Sequence, residues 1–390
     1  MAMTGTRVAG ARAAGVPSRR RAALAFTMTS VDAATDIVAP WSALADATVE
    51  GNVFFHPGFA LPAMRHFGGG AVGVATVAAG SRLVTAAPIV RKRLGGVAPA
   101  VSVWTHPYGP LGLPLVDAES VDEAVPALIE GLAPANAGIS LTIPDVPLDS
   151  SIAVAVMKHA EATDRPIAVL TPHHRAVLKR PAVPVDLRAA QPPRRRKEYT
   201  RQMRRLGDLG RVVLETATER DRVCARFEEF VALEAAGWKG RAGSALASLL
   251  PAAEFAREAV FNLSAAGAVR IDSMRLDDHP IAILVSFTTG ATAFTWKIAY
   301  DEAYARFSPG AQLMMDVASS LFADPTVARI DSCATADHPM VDHLWPDRMA
   351  IGTVVLGPPH GGILHRLGLT AARAEIAARD RAKRLRDRMR

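Results

Sequence analysis

Two stretches hold most of the residues whose types and spacing could do chemistry. LEAAGWKGRAGSAL, from Leu233 to Leu246, closes a helix on a Trp-Lys pair set between glycines, and WKIAYDEAYARFSPGA, from Trp296 to Ala311, carries a strand through a polar turn into a new helix. On the first helix Val223, Phe227, Phe230 and Val231 fall at i, i+4, i+7 and i+8, an inward-facing apolar stripe, and Glu234 falls at i+11 in its middle. A carboxylate in that position loses water, which raises its pKa unless a cation pairs with it. Left unpaired, Glu234 has the character of a general base near neutral pH. Paired with Lys239 or Lys297, it is an ion pair instead, and the sequence leaves both open.

The second stretch sorts by period two. Thr292, Phe294, Trp296, Ile298 and Tyr300 share one face, and Ala293, Thr295, Lys297, Ala299 and Asp301 share a low-profile opposite face that could either pack under a helix or admit an extended ligand. Beyond it, Arg306-Phe307-Ser308-Pro309-Gly310-Ala311 has the marks of a helix start, with Ser near the cap, Pro in the first turn and a glycine that lets a ligand approach the backbone. Free N–H groups, the helix dipole and Arg306 then converge where a diphosphate could bind. An ordinary capped helix would carry the same signals.

Positioning these residues takes more than one ordinary core. A chain of 390 residues fits two domains of roughly 150 residues each. The first folded pattern starts near Pro40. It runs through a helix near 41–47, NVFFHP, a helix through Met64, short apolar segments at 71–116, helices at about 122–132 and 151–162, and the strands ISLTIP and IAVLTP. AQPPRRRKEYTRQMRRLGDLG then reads as a linker and a basic helix over 194–205. After it come strand, helix, turn, helix over about 251–265, hairpin, strand, helix and two strands, so the second half repeats the first in outline. The expected division is a disordered basic arm over 1–34, a domain over 35–190, a second over 191–362 and a basic helix over 363–390. The fold class is α/β with mixed sheets flanked by helices.

Charge is concentrated in three pieces. Residues 1–30, 194–211 and 371–390 together carry +16 against a whole-chain charge of +7, so the rest carries −9. That distribution argues against a basic face for DNA, while the tails could still meet an anionic membrane. Two cysteines, Cys224 and Cys333, fit a reducing compartment, and no apolar run is long enough to span a bilayer, so a soluble, bacterial cytoplasmic protein is expected.

The two chemical stretches, with NVFFHP and YGPLGLPL, resemble the GNAT acyltransferase superfamily over residues 35–358, and within it the tandem-domain branch of cellulose-biosynthesis-type acetyltransferases, distantly similar to Fem-type peptidyltransferases. The resemblance implies tandem GNAT-like domains using acetyl-CoA or another acyl-CoA, with no metal, and a small or sugar-derived acceptor bearing an amine or hydroxyl. It also implies that the pantetheine arm lies where two parallel strands splay, with the pyrophosphate on the loop before the next helix. On that loop Arg306 and Ala311 match the ends of the family's Q/R-x-x-G-x-G/A, but Pro309 stands at the middle glycine and Gly310 is displaced by one. Cofactor-binding residues are then Arg306, Ser308, Gly310 and Ala311. Glu234 and Asp301 are candidate bases, Tyr300 an acid for the departing thiolate, and Trp238, Lys239, Lys297 and His338 the acceptor pocket. The N-terminal domain lacks a comparable Arg-Gly helix start and is expected to be a degenerate copy walling the cleft. A Fem-like aminoacyltransferase, holding tRNA on 194–205, and a non-catalytic scaffold are the alternatives.

Other motifs carry less. Residues 68–73 formally match GxGxxG, but a β-rich segment follows where a dinucleotide site needs a helix. DHPMVDH at 337–343 has metal-like residue types without a ligand spacing and reads as a loop at the site's rim. His173, His174, His360 and His365 read as structural or exposed, and Cys333 lacks a triad signature.

Overall fold

The structure is a computed structural model that describes residues 23–182 and 186–388. Its first half comprises β1 (Leu24–Thr29), α1 (Val38–Ala47), α2 (Pro57–Phe67), β2 (Val72–Ala79), β3 (Arg82–Leu94), β4 (Ala98–Val103), β5 (Leu115–Val116), α3 (Val121–Leu132), β6 (Ser140–Pro147), α4 (Ser151–Ala162) and β7 (Ile167–Lys179). The second comprises α5 (Pro193–Gly207), β8 (Val212–Ala217), α6 (Arg220–Ala236), α7 (Trp238–Arg241), α8 (Leu250–Ala265), β9 (Val269–Leu276), β10 (His279–Thr289), β11 (Thr292–Tyr300), α9 (Pro309–Leu321), β12 (Arg329–Asp331), α10 (Val341–Leu344), β13 (Asp347–Leu356) and α11 (Ile363–Arg388).

The thirteen strands among the described residues form one mixed sheet, ordered β1-β2-β3-β4-β6-β13-β7-β12-β11-β10-β9-β8, with β5 on β3. Reading inward from either edge, four antiparallel strands lead to a parallel pair, β4 with β6 and β11 with β12. The two halves therefore repeat one plan, as the sequence outline led us to expect. The seam between them differs from the expected boundary near 190. β13, assigned by its position to the second domain, lies between β6 and β7 of the first half, pairing antiparallel with both, and β7 in turn pairs with β12. Strand exchange of this kind satisfies backbone groups on both sides of β13 and ties the halves into one body.

The arm expected to be disordered over 1–34 is corrected in its last third. β1 pairs with β2 from Leu24 opposite Ala79 to Thr29 opposite Val74, and Phe26 packs on α3 at Gly131, where a Cβ would stand 2.2 Å from the ring. Residues 1–22 lie outside the described residues. α11 docks by Leu369, Ala372 and Ile376 on a small apolar patch that includes Leu94 and Val355. No helix among the described residues is long and apolar enough to cross a membrane.

The halves share a core. Phe59 of α2 meets Phe255 of α8, Phe287 of β10 and Trp296 of β11 at ring distances of 5.1, 5.9 and 6.0 Å, edge to face. The stripe read from the sequence is buried here, with Val223, Phe227, Phe230 and Val231 all inward. A second core lies under α9 and α5 on the other face of the sheet, around Leu284, Leu313 and Met314.

Candidate functional site

β11 and β12 pair only from Thr292 to Phe294. Just beyond, β11 carries a bulge: Ser286 of β10 faces Thr295 and the next residue, Val285, faces Lys297, leaving Trp296 as the extra residue. A bulge inverts the alternation downstream of it. Phe294 and Trp296 therefore join the core shared with α2, whereas Ile298 and Tyr300 turn to the α9 side, which corrects the single face expected for all four. Beyond its pairing with β12, the end of β11 lines a cavity of about 260 Å³ together with the end of α6, α7 and residues 338–340. Its lining includes Glu234, Trp238, Lys239, Tyr300 and His338, five of the residues singled out from the sequence. Larger cavities, of about 550 Å³ near Trp345 and about 690 Å³ beside β1, lie away from the splay and hold none of these groups.

Leu233 to Leu246 folds around Glu234. The carboxylate is buried; Oε1 is 3.0 Å from Lys239 Nζ and 3.5 Å from Lys297 Nζ, and Oε2 accepts the Leu246 N–H at 2.8 Å. Lys239 Nζ also donates to the Ile298 carbonyl at 2.9 Å, joining the helical segment to β11. Gly240 is needed for this tuck, since a Cβ there would sit 1.8 Å from the Ala235 carbonyl oxygen. Of the two readings left open by the sequence, the geometry is that of the ion pair, doubled. Both carboxylate oxygens are thus engaged, one by the two ammonium groups and one by a backbone N–H. Burial pulls the Lys297 ammonium below its ordinary pKa, with Glu234 opposing the shift and Lys239 adding to it. Burial likewise lowers the His338 pKa, so the ring is neutral near pH 7. Its Nδ1 faces the N–H groups of Met340 and Val341 at the start of α10, both at 3.4 Å, which leaves Nε2 as the ring's N–H.

Asp301 is placed elsewhere. Its Oδ1 caps the following turn at the Ala303 N–H, 2.9 Å away, and Oδ2 faces His279 Nε2 at 3.1 Å. It lines a neighbouring cavity of about 540 Å³ with Tyr300, which borders both. Glu302, which the sequence reading passed over, accepts the Trp238 N–H at 2.6 Å and pairs with Arg241 at 2.5 Å, fixing the Trp-Lys turn against the end of β11.

At the start of α9, Ser308 takes a left-handed conformation (φ 52°) and its side chain makes no cap. The first main-chain bond of the helix runs from the Gln312 N–H to the Ser308 carbonyl, so the Gly310 and Ala311 N–H groups are open donors. A Cβ added at Gly310 would meet Ile298 and Tyr300 at ordinary contact distance. Arg306 is exposed, its guanidinium 4.7 Å over the Phe307 ring. α5 packs against the turn Glu302–Phe307, its exposed face carrying Arg194, Lys197, Arg204 and Arg205.

The first half packs on β11 beside this cavity. Asn52 of NVFFHP caps its own turn at the Phe54 N–H and donates to the Leu111 and Leu113 carbonyls, joining NVFFHP to YGPLGLPL. From the latter, the Tyr108 carbonyl accepts Trp296 Nε1–H at 2.8 Å, and its ring lies 5.2 Å from Lys297 Nζ. Pro110 is held by Arg175, whose guanidinium also pairs with buried Asp331 at 3.3 Å, locking the end of β12. Periodicity could not have found Tyr108, Glu302 or Arg175, because each acts through a partner more than sixty residues away. Cys333 is half-buried beside Asp331, and desolvation holds its thiol well above the ordinary value, which disfavours a thiolate nucleophile. Among the described residues no group of three or more His, Cys, Asp or Glu is placed to hold a metal ion.

A mixed sheet of two repeated halves, with parallel strands splaying beside an open helix start, defines a GNAT-type fold. Residues 193–338 match the family model of the acetyltransferase (GNAT) domain. Over most of the chain the fold is similar to FemX (TM-score 0.52, 11% identity, covering 83% of this chain and 94% of that one). It is also similar to the C-terminal domain of a putative lysylphosphatidylglycerol synthetase from Agrobacterium fabrum (TM-score 0.50, 13% identity, 89% and 95%). At these identities the likeness is one of fold. No curated protein sequence matches the chain.

Proposed function

We propose that the chain is an acyltransferase that moves an acetyl or longer acyl group from acyl-CoA to an amine or hydroxyl of a small or sugar-derived acceptor, in exopolysaccharide or envelope metabolism. The observation that carries this reading is the cavity at the end of β11, whose lining residues Ile298 and Tyr300 lie against the start of α9, where the Gly310 and Ala311 N–H groups have no main-chain acceptor and Arg306 precedes the helix. A diphosphate suits two main-chain donors, a helix dipole and a guanidinium. The thioester would lie in the cavity, where the neutral His338 ring can donate a hydrogen bond to its carbonyl oxygen. The acceptor nitrogen bonds to the carbonyl carbon, the carbon–sulfur bond breaks, and the thiolate takes a proton from Tyr300. The proton lost by the nitrogen restores the tyrosine through water. Glu234 serves by holding Lys239 and Lys297 rather than as the base, and Asp301 holds the turn after β11. Trp238 and Lys239 shape the acceptor side, and Tyr108 of the first half stands beside it at Lys297.

Titration of the full chain with acetyl-CoA and longer acyl-CoAs tests the reading. Arg306→Ala should weaken binding about 10- to 100-fold, the range for a charge-assisted hydrogen bond, with folding intact. Unchanged affinity in the folded variant, or no binding of any acyl-CoA, would refute it. The exposed arginines of α5 favour one second reading, an aminoacyl-tRNA-dependent transfer in the Fem manner. Under that reading RNA should co-purify and be released steeply by salt. Binding of neither ligand would leave the non-catalytic scaffold.

A further inference from the structure

We propose that the acceptor carries a carboxylate and that Lys297 receives it. The proposal rests on the acyltransferase reading and concerns the side of the Glu234 ion cluster that faces the first half. Lys239 has two acceptors, Glu234 Oε1 at 3.0 Å and the Ile298 carbonyl at 2.9 Å. Lys297 has Glu234 at 3.5 Å and otherwise the faces of Tyr108 and Trp296, 5.2 and 5.7 Å away. An ammonium offers three donors, so at least two here have no oxygen to meet.

The charges do not balance either. Glu234 contributes one negative charge and the two lysines two positive ones. The titratable groups around them add nothing near pH 7: Tyr108 is held above its ordinary pKa by burial and by Glu234, His106 is pushed down to about 4 by burial, and His338 is lowered by burial. A largely desolvated cluster is therefore left at +1, an expensive arrangement unless something completes it. The Lys297 side chain is 15% exposed, enough for a ligand atom to reach it. One carboxylate brings the cluster to neutrality, whereas a phosphate dianion would reverse its sign. Because Glu234 and Lys239 line the splay cavity, an acid held on Lys297 is one side chain from the place where the thioester would react.

The test uses the smallest N-acetyl α-amino acid, N-acetylglycine, and its neutral isostere N-acetylglycinamide. Their dissociation constants are measured on the full chain by ligand-observed NMR, with acyl-CoA binding measured on the same preparation. The acid should bind about 10- to 100-fold tighter than the amide. Lys297→Met should abolish that preference while leaving acyl-CoA affinity within a few-fold. Equal binding of acid and amide, or no binding of either, overturns the proposal, and this wild-type comparison stands even where Lys297→Met does not fold. A preference that survives in folded Lys297→Met overturns the assignment to Lys297. Loss of the acid preference with acyl-CoA binding intact sinks the carboxylate site alone. The acid preference without acyl-CoA binding sinks the acyl-CoA reading and leaves an acid-binding site on Lys297.

Discussion

Glu234→Gln separates the two roles a carboxylate could have at the end of α6. The substitution keeps the shape and an oxygen for the Leu246 N–H, but removes the charge that Lys239 and Lys297 share. Removing one partner of a buried ion pair costs about 3–5 kcal/mol, because the abandoned charge stays desolvated. The Lys239 side chain is 25% exposed and can relax toward water, so the lower end, about 3 kcal/mol, is expected in denaturant unfolding. The pH dependence carries a sign. Burial already lowers the Lys297 pKa in the folded state, and Glu234 is the group that props it up, so the variant's Lys297 should fall further below 10.5. Between that lowered value and 10.5 the unfolded chain binds more protons than the folded one, so folding stability rises with pH across the window. The deficit of Glu234→Gln relative to wild type should therefore shrink as pH climbs toward 10.5 and be full below the variant's folded pKa. A general base would give the opposite pattern, a 10²- to 10⁴-fold loss of turnover with little change in stability. A folded variant within about 0.5 kcal/mol of wild type at pH 7 would refute the ion-pair account, since that is the range of a surface substitution.

Gly240→Ala should cost about 1–3 kcal/mol and loosen acceptor binding, because its Cβ overlaps the Ala235 carbonyl and displaces the turn that carries Lys239; calorimetric unfolding checks the first. Asp331→Asn should destabilise by about 3 kcal/mol by stranding buried Arg175, and matched denaturant curves read it. Removing residues 1–30 should lower the melting temperature by a few degrees relative to removing 1–22, since only the former takes β1 and the Phe26 contact. Equal melting temperatures would mean that β1 contributes nothing.

What the sequence determined by itself is what depends on neighbours along the chain. The 3.6-residue stripe placed Val223, Phe227, Phe230 and Glu234 on the buried face of α6, and β11 begins and ends near where alternation and turn residues put it. The helical stripe nominated Glu234, and the family resemblance nominated Trp238, Lys239, Tyr300 and His338, groups that the fold gathers at one cavity. Tertiary structure alone decided which partners those groups meet. The bulge at Trp296 answers a register with β10 that no period in β11 contains, and it moved Ile298 and Tyr300 to the opposite face. β13 has the alternation of any strand, and its place between β6 and β7 depends on backbone hydrogen bonds to segments some two hundred residues earlier. That Glu234 meets two ammonium groups depends on the positions of both, one brought back by the Gly240 turn and one by a different strand. Local periodicity encodes burial, because burial is a property of a face; it does not encode pairing, because pairing is fixed only when distant segments meet.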